Sequence, residues 1–183
     1  MRYDAQEHLD AFRTRGAFPA IHDDVATLFA EESVASRVCD LCCNTGLLGE
    51  RLRRAFGVDV VGIDGDADAV RRGTEAGVGY DRLVVHLDAS TLDAALAWLA
   101  ERRIDGVVAR RCLSELLIDP DLRARLPAGL ARIGVRELVI QGRAPVAGAV
   151  HPFPSVAEEL AALCPPWRVV RRVGPCAVLR CGA

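Results

Sequence analysis

The sequence predicts an α/β protein: a three-layer sandwich of helices around a seven-stranded, mostly parallel sheet. Three observations carry that prediction. An apolar strand over residues 37–41 runs into a tight turn that opens a helix. A second strand over 58–63 is apolar almost throughout, as a parallel strand covered on both faces is. Strand and helix patterns then alternate to the end, where Trp167 to Arg180 reads as an antiparallel hairpin. At 183 residues the chain fits one domain with one core, an N-terminal helical segment (1–34) preceding an α/β part (35–183).

The elements follow in order. Residues 4–14 are amphipathic, with Leu9 and Phe12 apolar, and predict a helix. Pro19 opens a second helix reaching Glu32, with Ile21, Val25, Leu28 and Phe29 on one face. His22 on this helix reads as a partly exposed surface histidine; the sharper reading is a ligand contact. After the first strand a helix runs from Gly46 to Phe56, with Leu48, Leu52 and Phe56 as its buried stripe and Gly57 as its cap. Strand two ends in Asp64, and a helix over 66–75 follows. Strand three is read over 82–87, with His86 structural, and a helix over 92–103 comes next. Strand four covers 104–109. A helix over 121–133, broken at Pro127, leads to strand five over 137–141. Residues 142–154 read as a Gly/Pro-rich loop, and Ser155 caps a helix to Leu163 with Glu158 as its capping-box partner.

Composition sets limits. Half of the residues are hydrophobic and few are aromatic, so the core is expected to be Ala, Val and Leu. The formal net charge of −2 supplies no field to draw nucleic acid or an anionic membrane. All 23 basic residues are arginine, which rules out a Schiff-base or P-loop lysine. Met1 to Asp10 has no signal-peptide pattern and no apolar run is long enough to span a bilayer. Seven cysteines, an odd number, point to free thiols in a reducing cytoplasm.

Asp40-Leu-Cys-Cys-Asn-Thr-Gly46, followed by Val61-Gly-Ile-Asp64, resembles the first two motifs of class I S-adenosylmethionine (SAM) dependent methyltransferases. That family usually shows D-x-G-x-G-x-G. Cys42 and Asn44 stand at its first two glycine positions, and Gly46 matches the third. Asn is among the non-glycine residues that best tolerate positive φ, whereas the Cβ of Cys42 narrows the room beside the turn. The resemblance implies a Rossmann-like sheet in the order 3-2-1-4-5-7-6 and SAM as cofactor. It implies that Asp40 orients the turn or the methionine amine, that Cys42, Asn44 and Gly46 line the cofactor, and that Asp64 holds the ribose. Asp88 and Ala89, after strand three, would meet the adenine; Asp88 equally reads as the lead-in cap of the next helix. Arg110, Arg111 and Glu115 follow strand four, where the family contacts methionine and substrate. Two arginines at a helix start oppose its dipole, which suggests an anionic partner.

Methyl transfer from a sulfonium needs positioning more than an acid–base set. Where a base is required, His151 and Glu115 are the candidates, with His22 third. The acceptor is expected to be a small molecule or peptide. Three rivals stand beside this reading. Cys39-x-x-Cys42 could form a redox or zinc site, although Cys39 lies in a buried strand and no second such pair exists. A nicotinamide-binding protein would use Asp64 similarly, but needs the glycines more, for its pyrophosphate. A non-catalytic binding or partner protein of the same fold would explain Cys42 and Asn44.

Overall fold

The computed structural model describes residues 5–143 and 153–182. Helix α1 (Ala5–Arg15) is followed by a 3-10 turn (Ala20–His22) and α2 (Asp23–Glu32), so the segment after Pro19 starts as a tighter helix than expected. Then come β1 (Arg37–Leu41), α3 (Leu47–Phe56), β2 (Asp59–Asp64), α4 (Ala67–Glu75), β3 (Arg82–Val84), α5 (Leu92–Glu101) and β4 (Gly106–Arg110). The chain continues through α6 (Leu113–Leu116), α7 (Pro120–Arg132), β5 (Glu137–Gln141), α8 (Val156–Ala161), β6 (Trp167–Val173) and β7 (Cys176–Cys181).

The strands form one sheet in the order β3-β2-β1-β4-β5-β7-β6. Pairing is parallel from β3 to β5, and β7 runs antiparallel to both of its neighbours. This is the expected order. The period-2 alternation of a strand divides the core into two layers. Val38, Val108, Val139 and Val178 face α2 and α3. Cys39, Val107, Leu138 and Leu179 face the other way, onto leucines of α5, α7 and α8. Burying such stripes on both faces is the main stabilising contribution, about 25 cal/mol per Å² of apolar surface.

Four local expectations need correction. β3 stops at Val84, because its partner β2 ends at Asp64; the Val85 N–H still reaches the Asp64 carbonyl at 2.9 Å, and His86 lies beyond the strand, exposed. Phe56 is 39 % exposed; it stacks on Phe29 at the C-terminal end of α3 instead of joining the buried stripe. α7 runs unbroken through Pro127. Leu122, Leu126 and Leu130 anchor both halves in the core, and the Pro127 carbonyl accepts a hydrogen bond from Trp167 Nε1 at 3.0 Å. His22 is buried at 4 % exposure, not on the surface.

Other local signals hold. Gly57 closes α3 in the left-handed region, with φ of 68°. Ser155 caps α8, its hydroxyl accepting from the Glu158 N–H. Among the described residues no helix is long and apolar enough to cross a membrane.

Candidate functional site

The site grows from the turn between β1 and α3. The backbone is left-handed at Cys42 (φ 57°), Asn44 (φ 51°) and Gly46 (φ 83°). These are the three alternating positions at which the resembled pattern carries glycine. The conformation survives without two of the glycines because hydrogen bonds hold it. The Cys43 N–H donates to the Ile63 carbonyl at 3.0 Å, and the Gly46 N–H to the Cys43 carbonyl at 2.7 Å. The Asn44 N–H donates to Asp64 Oδ2 at 2.6 Å. The other oxygen of Asp64 accepts from the Asp66 N–H at 2.8 Å. Asp66 in turn caps α4, accepting from the N–H groups of Asp68 and Ala69.

Asp40 lies under the turn, 2 % exposed. Its Oδ2 accepts from the Gly49 N–H at 2.9 Å, and the Tyr80 hydroxyl sits 3.1 Å from both that oxygen and the Gly46 carbonyl. Burial pushes the Asp40 carboxyl up to about 7; the Gly49 and Tyr80 bonds oppose that rise, and the charge of Asp64 adds to it. The turn is also wedged from below. A Cβ on Gly73 of α4 would stand 2.0 Å from the Thr45 carbonyl oxygen, so only glycine fits there.

Two cavities open on either side of this turn. The first, about 730 Å³, lies over the ends of β1, β2 and β4 and is bordered by Asp64, His86, Asp88, Cys112 and Ile118. The second, about 420 Å³, is bordered by His22, Asp40, Arg110, Arg111 and Arg143. Cys42, Asn44 and Glu115 line both. Both volumes are typical of small-molecule sites, about 300–1,000 Å³.

Most of the sequence-predicted residues therefore converge. Asp64 and Asp88 sit in the first cavity, Asp40 and Arg110 in the second, and Cys42, Asn44 and Glu115 at their shared wall. Asp88 also braces the turn that leads into α5, although the N-cap of that helix is Thr91. The Asp88 Oδ1 accepts from the N–H groups of Ser90 and Thr91 and from the Ser90 hydroxyl, which hold the carboxyl below its usual range. Gly46 caps α3 and borders neither cavity. Ala89 borders neither; its carbonyl takes a bond from Arg125. Glu115 is exposed and ion-paired with Arg143. His151 lies outside the described residues.

Sequence reasoning missed Tyr80, Arg143 and Ile118. Tyr80 had one usable signal, its place between Gly79 and strand three. Arg143 and Ile118 had none stronger than position after a strand or short helix. His22 was ranked too low. Its Nδ1 has no hydrogen-bond partner among the described residues. Burial, and then the nearby charges of Arg110, Arg51 and His8, lower its pKa to about 3, so the ring is neutral. Among the described residues no group of three or more His, Cys, Asp or Glu side chains converges as a metal ion would need. Cys39 is fully buried, and burial raises its thiol well above the usual value.

No protein-family model matches the chain, and no curated protein matches it in sequence. Solved structures do match its shape. A TehB-like SAM-dependent methyltransferase from Corynebacterium glutamicum is 16% identical, with 97% of this chain and 98% of that one covered and a TM-score of 0.61. The N-terminal domain of EvdMO1, with S-adenosylhomocysteine bound, is 20% identical over 88% of this chain and 81% of its own, at a TM-score of 0.56. DesVI of Streptomyces venezuelae is 17% identical over 82% of this chain at a TM-score of 0.52, and the chain spans 62% of DesVI's length. The fold is that of the class I SAM-dependent methyltransferases.

Proposed function

We propose that the chain binds SAM in the first cavity and transfers its methyl group to a small molecule or peptide. One observation carries this reading: the left-handed turn at 42, 44 and 46, hooked to Asp64 at the mouth of a 730 Å³ cavity, in a fold that methyltransferases use. The residues present suit the cofactor. Each Asp64 oxygen has one lone pair engaged by a backbone N–H and keeps another for a ribose hydroxyl. Asn44 Oδ1 is buried without a hydrogen-bond partner among the described residues, as an atom awaiting a ligand would be. Leu41, Ile63, Leu116 and Ile118 give an apolar bed for a base, and Asp88 stands at its edge.

SAM supplies a methyl group already activated by a positive sulfur. The chain's own residues then position, exclude water and move a proton. Asp64 fixes the ribose end and Asp88 the base. Asp40 places a carboxylate near the cationic end. Among the base candidates His22 gains most. A neutral, weakly basic imidazole can take a proton from an acceptor made strongly acidic by methylation. Glu115 is held by Arg143.

Calorimetric titration with SAM, with S-adenosylhomocysteine and with NAD as control tests the reading. Micromolar binding of the first two and none of NAD is the expected result. Failure of both would overturn the reading. Binding without turnover across a broad acceptor screen would favour a non-catalytic partner protein.

A further inference from the structure

Arg110 and Arg111 are neighbours in sequence, and successive residues of a strand point to opposite faces of a sheet. Yet both line the second cavity. The backbone of Arg111 explains it: φ is 55°, which breaks the alternation, and its N–H is tied to the Gln141 carbonyl at 2.7 Å. A left-handed arginine carries a steric cost that glycine would not. Such strain persists where surrounding structure imposes it, and it clusters at binding sites.

Arg143 is paired with Glu115, and Asp40, whose Oδ2 accepts from Gly49 and Tyr80, feels the charge of Arg110. Arg110 Nε donates to the Ile21 carbonyl at 3.2 Å, which fixes its head. Arg111 makes no ion pair among the described residues. Arg111 borders the second cavity and not the first, to which the proposed function assigns the cofactor. His22, 4 % exposed and with Nδ1 unpartnered among the described residues, also lines this cavity. A buried polar atom left without a partner is costly unless a ligand completes it.

We infer that the second cavity, on the methyltransferase reading just given, takes the anionic group of the methyl acceptor, and that Arg111 with Arg110 holds it. The acceptor is then a small organic acid carrying a carboxylate or phosphate, the groups that a guanidinium fork matches. His22 faces the same ligand. The positive field of Arg110 that helps keep His22 neutral is the field that attracts the anion.

The test titrates the whole protein, loaded with S-adenosylhomocysteine, with benzoate, phenyl phosphate and neutral benzamide. At least one anion binds and weakens with added salt, while benzamide does not bind. Arg111→Gln weakens that anion about ten-fold, as loss of a charged hydrogen bond does. Arg111→Lys keeps part of the affinity, and Arg172→Gln on the exposed β6–β7 hairpin leaves it unchanged. Arg111→Gln removes an exposed head group without breaking an ion pair, so the variant folds. Absence of anion binding in the loaded protein, or equal binding by Arg111→Gln, overturns the inference alone. If S-adenosylhomocysteine itself fails to bind, the methyltransferase reading falls. The same titration of the unloaded protein then decides the anion site by the same criteria.

Discussion

Asp64→Ala separates bracing from binding. The carboxylate accepts two backbone N–H groups, from Asn44 at 2.6 Å and Asp66 at 2.8 Å. A hydrogen bond to a charged acceptor contributes about 1.5–3 kcal/mol when buried, and about 1 kcal/mol each is reasonable for a half-exposed carboxylate. Removing both should cost about 2 kcal/mol. For a domain of this size that lowers the melting temperature by about 4–8 °C. The same carboxylate is assigned two ribose hydroxyls, so affinity for S-adenosylhomocysteine should fall about ten- to hundred-fold. Asp64→Asn keeps one accepting oxygen and should lie between. Thermal melts and calorimetry on the three proteins decide. A melting temperature within about 1 °C of wild type refutes the bracing. A lowered melting temperature with unchanged ligand affinity refutes the ribose assignment and leaves Asp64 as a strut of the turn.

Three further outcomes follow from the same geometry. Because the buried Asp40 carboxyl titrates at about 7, SAM, with its positive sulfur, should bind more tightly as pH rises through that value. S-adenosylhomocysteine should gain less and Asp40→Asn should be flat; calorimetry on either side of neutrality measures this, and equal slopes for the two ligands would remove Asp40 from the cationic end. His22 has a folded-state pKa lowered to about 3, so between its ordinary value and 3 the unfolded chain binds a proton that the folded chain does not. Its contribution to stability is present above the ordinary value and lost as pH falls, about 2 kcal/mol by pH ~5. Asp40, raised by burial, tilts the other way, being stabilising at low pH and less so as pH rises to about 7. The His22 effect is therefore read as the difference in urea-unfolding free energy between wild type and His22→Asn; a pH-independent difference would count against it. Gly73→Ala drives a methyl into the Thr45 carbonyl and should cost about 2–3 kcal/mol, displacing the turn and weakening S-adenosylhomocysteine with it. Urea unfolding near the wild-type midpoint would show that α4 yields easily.

What was legible in the sequence was whatever local pattern specifies. Continuous apolar runs gave the parallel strands, and the register at Val38–Val60 and Val38–Gly106 puts them side by side as expected. Ser155 and Gly57 announce helix ends by chemistry confined to one turn. Asp64 was found because an acid at a strand tip needs only its two neighbours to be noticed. The second cavity was harder. It joins His22, Asp40, Arg110 and Arg143, residues separated by whole elements. His22 sits on an amphipathic segment and reads as exposed. Its burial depends on the 3-10 turn at 20–22 and on Arg110 tying Ile21 to the end of β4. No local signal marks a left-handed arginine, so the sequence offers Arg110 and Arg111 together as ligand contacts and does not single out Arg111. Pro127 misled because the bond it removes is local, while the leucines that hold α7 together are packed against distant elements.

Backbone strain bears on whether Cys42 and Asn44 record a decayed site. Among the described residues, Cys42, Asn44, Arg103 and Arg111 are the non-glycine positions with positive φ. Arg103 closes the turn just after α5, where a left-handed residue ends a helix in the ordinary way. The other three line the two cavities. A turn drifting free of function would relax toward favoured backbone angles once its glycines were replaced, because each left-handed residue costs about 1–2 kcal/mol. Here the glycine-type path is kept under that cost. It is held by a carboxylate at the tip of β2, a buried carboxylate beneath it and a glycine in α4 that admits no side chain. The hydrogen bonds do what glycine does elsewhere: they hold the turn on its left-handed path beside the two cavities.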